Sequence, residues 1–80
     1  MRHGWTVLKS INLPGEMVCL DLFQRRDMTF GFETYRRDPE DGRGWYPTGH
    51  HASRVFEDER AAWEAALLDV PWLSEVAASQ

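Results

Sequence analysis

A single cysteine, Cys19, stands in the 80 residues, so an internal disulfide framework is excluded. No apolar run approaches the roughly 20 residues that a membrane-spanning helix needs. Near the amino terminus Arg2, His3 and Lys9 break up any apolar core of a signal peptide. There is no internal repeat, low-complexity tract or Gly/Ser-rich linker, and 80 residues correspond to one domain. These absences predict a soluble protein in a reducing, cytoplasmic setting, with no membrane partner.

Ring-bearing residues are plentiful: four Trp, four Phe and two Tyr. A chain this short buries only about two-thirds of its unfolded surface, and large rings compensate by bringing much apolar area into a small core. The net charge of −4 is uneven. Residues 1–44 carry seven Lys/Arg against seven Asp/Glu, whereas residues 45–80 carry two against six. The acidic excess therefore sits in the carboxy-terminal half, where it reads first as a solvated helix face.

That half contains the most regular pattern. Residues 56–73, FEDERAAWEAALLDVPWL, place Ala62, Trp63, Ala66, Leu67 and Val70 at helical spacing. Asp58 suits the N-cap, and the neighbouring Glu57 and Glu59 suit the positive end of the helix dipole. Pro71 stops or kinks the helix because it lacks an amide proton. Trp72 and Leu73 are expected to fold back over one end of the core, and residues 74–80 to fray, although Glu75, Val76 and Ala77 could extend a helical turn.

The first half reads as β-structure. Residues 5–11 (WTVLKSI) form a first strand closed by Asn12, Pro14 and Gly15. Residues 16–24 alternate, with Val18, Leu20 and Leu22 on one face and Cys19, Asp21 and Phe23 on the other. After the polar break Arg25–Asp27, residues 28–37 place Met28, Phe30 and Phe32 opposite Thr29, Gly31, Glu33 and Tyr35. The short break makes these two strands an antiparallel hairpin. Residues 38–44 (DPEDGRG) are the strongest turn signal, with Pro39, Gly42 and Gly44 as its punctuation. Residues 45–48 follow as a possible fourth strand, which Pro47 confines to an edge. Strands precede a helix with hairpin-length connections. The expected fold is therefore α+β: an antiparallel meander of three to four strands with one carboxy-terminal helix on one face. The layout is similar to that of many short bacterial proteins, with a meander, an Asp-Gly turn and an acidic cap before an Ala-rich helix. No named family attaches to particular residues, and no site is carried over.

Catalytic and metal constellations are thin. His50 and His51 are adjacent and lack a second ligand pair at finger-like spacing, so no metal site is assigned. Cys19 with His50 or His51, and Asp21 or Glu33 as orienter, can be drawn as a nucleophile set. Cys19, however, sits mid-strand among apolar residues, where a thiol serves as a small hydrophobe. The carboxylates of Asp38, Glu40 and Asp41, and of Glu57, Asp58 and Glu59, lie in a turn and a helix first turn, where local hydrogen bonding explains them. Gly42 and Gly44 lack the lysine and helix of a phosphate loop. No catalytic residue, cofactor or metal is therefore predicted, and the protein is read as a non-enzyme.

Two binding readings follow. If the helix covers one sheet face, the aromatics of the other face form an apolar patch of the kind that meets a protein partner or a second copy in a homodimer. Phe23, Tyr35, Trp45 and Tyr46 are the expected anchors, with Arg36 and Arg37 at the rim. Alternatively, Arg36 to Tyr46 could hold single-stranded nucleic acid by stacking and charge. The acids beside each arginine pair and the acidic balance oppose that alternative.

Overall fold

The computed structural model describes residues 4–13, 15, 17–38, 40 and 44–78. Four strands, β1 (Thr6–Asn12), β2 (Val18–Gln24), β3 (Phe30–Arg37) and β4 (Trp45–Pro47), precede two helices, α1 (Glu59–Asp69) and α2 (Leu73–Ala78). The strands form one antiparallel sheet in the order β1-β2-β3-β4, each neighbour in sequence being a neighbour in space. The expected α+β meander with a carboxy-terminal helical layer is the architecture of this chain.

Alternation decides which strands are central. Leu20 and Leu22 of β2 and Phe32 of β3 turn towards the helices, and Leu22 stands opposite Phe32 in the register. With Ile11 of β1 and Ala62, Ala66, Val70 and Leu73 they make the core. Residues on the other parity of β2 and β3 are buried as well, so these strands are covered on both faces. The edges differ. All of β1 except Ile11 is exposed, and its register to β2 shifts between Val7 and Lys9. Such a bulge on an outer strand discourages edge-to-edge pairing. The three-residue β4, exposed throughout, closes the opposite edge with Pro47, whose missing amide suits that position.

The β2–β3 connection is tighter than a polar break alone indicates. Arg25 N donates to Thr29 O (2.8 Å) and Met28 N to Arg25 O (3.0 Å). Asp27 Oδ1 accepts from both the amide (3.0 Å) and the hydroxyl (2.6 Å) of Thr29. The Thr29 hydroxyl, then its amide, hold the Asp27 carboxyl below its ordinary range. Met28 takes the left-handed φ of 74°, so β3 begins only at Phe30, two residues later than its pattern predicts. Of the 38–44 turn, Pro39, Asp41, Gly42 and Arg43 lie outside the described residues. Asp38 Oδ1 receives the Glu40 amide at 2.9 Å.

Asp58 caps α1 as expected: its backbone is extended and its Oδ1 accepts the Ala61 amide at 2.7 Å. The face that meets the sheet is narrower than the apolar stripe. Ala62 and Ala66 are fully buried, whereas Trp63 and Leu67 pack at the margin and are half-buried. Small side chains let the helix axis approach β2 and β3 closely, and a ring as large as an indole must then lie to one side. There the Lys9 ammonium stands 4.7 Å from the Trp63 ring centroid.

Beyond Pro71 the chain is helical, and the turn takes in Glu75, Val76 and Ala77, the alternative to fraying. Residues 73–78 form the short second helix, with Leu73 fully buried in the core and Val76 packed against it. Burial of Leu73 gives this turn the tertiary anchor that its six residues could not supply alone. Gln80 and Ser79, the remainder of the expected tail, lie outside the described residues. No helix among the described residues is long and apolar enough to cross a membrane.

Candidate interaction surface

The second face of the sheet is not bare. Phe23 is fully buried and Tyr35 only 3% exposed, so neither presents a ring to solvent, contrary to their expected role as surface anchors. Trp5 stacks on Phe23 with ring centroids 3.8 Å apart and planes 9° from parallel, and the Arg25 guanidinium lies 5.0 Å from the same ring. Gly31 sits opposite Phe23 across the strands. A Cβ on Gly31 would come within 2.8 Å of Phe23 Cε1 and of Arg25 Nη2, so only glycine lets the ring and the guanidinium lie flat on the strand. Cys19 and Tyr35, paired in register, continue this covered face. Burial, followed by the charge of Asp21, pushes the Cys19 thiol up to about 11.

A loop, not a strand, completes the outer edge of β3. Thr48 N donates to Thr34 O (3.0 Å), after which the chain leaves the edge and returns only where Phe56 and Phe30 exchange backbone hydrogen bonds. Between these points the backbone is held by two charged side chains. The Glu33 carboxylate, 2% exposed, accepts the amides of Thr34 (2.9 Å), Gly49 (3.2 Å) and Ala52 (3.0 Å). Arg25 donates to the carbonyls of Phe30 (3.0 Å), Arg54 (3.1 Å) and Ala52. Arg54 in turn lies over Phe32 and Phe56 and pairs with Asp69 at the end of α1. The loop is thereby fixed to both layers. Neither Arg25 nor Glu33 stands out locally as a structural pin, although an acid within the aromatic run FGFETY is the one sequence sign that a buried partner must exist.

His51 rests against Phe32, ring centroids 4.8 Å apart, on the helix side of the sheet, whereas Cys19 belongs to the opposite parity of β2. The drawn Cys19–His51 set is therefore not assembled. His50 is exposed at φ 56°. Among the described residues no group of three or more His, Cys, Asp and Glu is placed to hold a metal ion.

The other four candidate residues converge at one end of the sheet. Arg36 is in register with Tyr46, and Arg37 with Trp45. Alternation sends the two pairs to opposite sides. Val18, Arg36 and Tyr46 form a row on the helix side, beyond the helices. Met17, whose carbonyl accepts the Arg37 amide at 2.8 Å, makes a second row with Arg37 and Trp45 on the other side. Met17 (45%), Trp45 (39%) and Tyr46 (36%) are among the exposed large apolar side chains. Arg36 and Arg37 are exposed, and neither has an ion pair among the described residues. The arrangement offers two cations interleaved with two rings on a pair of hydrogen-bonded strands. Comparison with protein families, curated proteins and solved structures found no match for the chain.

Proposed function

We propose that this protein is a non-catalytic interaction module, contacting a protein partner or a second copy of itself through Arg36, Arg37, Trp45 and Tyr46. The observation that carries this reading is the register: each exposed ring of β4 stands directly opposite an arginine of β3. Tryptophan, tyrosine and arginine are the residue types in which binding energy concentrates at interfaces. Paired strands also hold them in place before contact, which lowers the ordering cost of binding. The surface is the end of the sheet and not its whole second face, because Phe23 and Tyr35 are occupied within the fold. We place the protein in a reducing, cytoplasmic setting, a reading supported by its single cysteine, which leaves no partner for an internal disulfide.

Sedimentation velocity over a wide concentration range tests the homodimer form. Reversible association that disappears in Trp45→Ala/Tyr46→Ala supports it, and a monomer at every concentration removes it. Single-stranded nucleic acid is the second reading, favoured by the same interleaving of arginine and aromatic rings. The net charge of −4 and the nearby Asp38 and Glu40 weigh against it. A labelled oligonucleotide that fails to shift even at low salt eliminates that reading.

A further inference from the structure

Beside the Arg36–Tyr46 row, where α1 ends and Pro71 turns the chain, the sheet and the helical layer part to leave a cavity of about 160 Å³. Val18, Thr34 and Thr48 line it from the sheet and its edge, and His51, Val70 and Trp72 from the loop and the helical layer. We infer that this cavity seats a small branched apolar side chain of an extended partner peptide, with an acidic residue of that peptide two positions on meeting Arg36. The inference rests on the interaction reading above and names the chemistry of its partner.

Size is the first argument. The space equals that of about five water molecules at about 30 Å³ each, well below the several hundred Å³ of cofactor and drug-sized sites. It suits a single valine-like side chain. Lining chemistry is the second. Val18, Val70 and Trp72 supply apolar surface, while the Thr34 and Thr48 hydroxyls, 3.3 Å apart, supply polar atoms. His51 and Trp72 make no ring N–H hydrogen bond to the described residues, so both retain donors for a peptide carbonyl. Asp69, the one carboxylate among the described residues that line the cavity, is paired with Arg54.

Preorganisation is the third argument. His51 stands so close to the backbone of Gly49 that a Cβ there would fall 2.4 Å from its Cδ2 and 2.4 Å from Thr34 Oγ1. The loop bearing both residues is tied down by Glu33 and Arg25. Charge and spacing select the partner. Arg36 is two residues beyond Thr34 on the same face of β3, about 7 Å along the strand, and side chains two apart on an extended peptide have the same separation and direction. An apolar residue in the cavity therefore carries the residue two positions on to a cation that has no ion pair among the described residues.

Amide and indole shift titrations of the full chain with N-acetyl-Val-Ala-Asp amide and N-acetyl-Val-Ala-Lys amide test this. The acidic peptide is expected to produce saturable shifts at Thr34, Thr48, His51 and the Trp72 indole, and the lysine peptide to bind about three- to tenfold more weakly. Thr48→Phe, which adds a ring to the lining at an exposed position, should abolish these shifts while leaving the rest of the spectrum in place. Arg36→Glu, a surface change that does not touch the core, should reverse the preference between the peptides. No saturable shift up to about 10 mM, equal binding of both peptides, or binding unaffected by Thr48→Phe overturns the inference. Shifts confined to Arg37 and Trp45 also overturn it while supporting the interaction module, as does silence from both peptides in a chain that still self-associates.

Discussion

Glu33 and Arg25 hold the same residue by its two backbone groups: the carboxylate takes the amide of Ala52 at 3.0 Å, and the guanidinium donates to its carbonyl. Together they replace the strand that β3 lacks along the middle of its outer edge. A loop passing over a sheet edge would otherwise leave several buried donors and acceptors unpaired, at a cost of about 1–3 kcal/mol each.

Glu33→Gln is a sharp test of this arrangement. One carboxylate oxygen serves Ala52 and the other serves Thr34 and Gly49, so all three contacts need an acceptor. An amide has only one oxygen, and in either orientation its NH2 meets an N–H. We expect a loss of about 1–3 kcal/mol in denaturant unfolding, the penalty of an unsatisfied buried donor. Hydrogen exchange should accelerate at Gly49 and Ala52 before it does in β2. Unchanged stability and exchange would show that the carboxylate is not the pin.

Gly31→Ala addresses the covered face. The added methyl meets Phe23 at 2.8 and 2.9 Å and the Arg25 guanidinium at 2.8 Å. Since Phe23 is itself clamped beneath Trp5, the ring cannot yield without breaking a stack at 3.8 Å. Overpacking of this kind costs about 1–3 kcal/mol, against a small gain in strand propensity. Trp5 fluorescence should shift together with the lowered midpoint. A stabilised variant would mean that Phe23 does not lie across Gly31.

Local pattern carried much of the architecture. The alternation of Val18, Leu20 and Leu22 against Phe30 and Phe32 specified the central hairpin, and Asp58 specified where α1 begins. What the sequence did not disclose depends on contacts between distant segments. Glu33 reaches Ala52 across 19 positions and Arg25 reaches it across 27, separations at which no periodicity operates. The same limit explains Phe23 and Tyr35. Alternation assigned them correctly to the face away from the helix, but the stack of Trp5 on Phe23 is a tertiary event. Leu73 is a third case, because its helical turn follows a proline and depends on a core contact for its stability. The turn signal at 38–44 placed residues 45–48 beside β3, but the opposition of Arg36 to Tyr46 and of Arg37 to Trp45 depends on a register that local pattern does not specify.

Alkaline pH should destabilise the protein through the covered face. Burial first, then the charge of Asp21, raises the Cys19 thiol from 9.0 to about 11. Burial, then Asp21 and Glu33, raises the Tyr35 hydroxyl from 10.0 to about 12. Both groups hold their protons more tightly folded than unfolded, so the unfolded chain binds fewer protons and stability falls as pH rises. The loss begins near the unfolded values and continues through the folded ones, from about pH 9 to 11 for Cys19. Urea midpoints should therefore decline across that interval, and Cys19→Ala should flatten the decline below the range in which Tyr35 ionises. At neutral pH an aromatic disulfide reagent should label the native chain far more slowly than the urea-unfolded one. Equal labelling rates would contradict the burial of this thiol.

The position of Trp63 at the margin of the helix–sheet contact sets the size of its contribution. A fully buried aromatic truncated to alanine costs about 3–5 kcal/mol. Trp63 keeps part of its ring in solvent and covers the core from the side, while Ala62 and Ala66 make the close contact. Trp63→Ala should therefore cost about 1.5–3 kcal/mol, from the fraction of its surface that is buried. The Lys9 ammonium adds about 0.5–1 kcal/mol to this, the range for a partly exposed cation over a ring. A double-mutant cycle combining Trp63→Ala with Lys9→Met separates the two contributions. Ala66→Leu should be at least as damaging as Trp63→Ala, although it adds apolar surface, because a larger side chain at the point of closest approach forces the helix off β2 and β3. If thermal and urea unfolding instead tolerate Ala66→Leu and reject Trp63→Ala, the indole and not the alanine pair forms the contact between the layers.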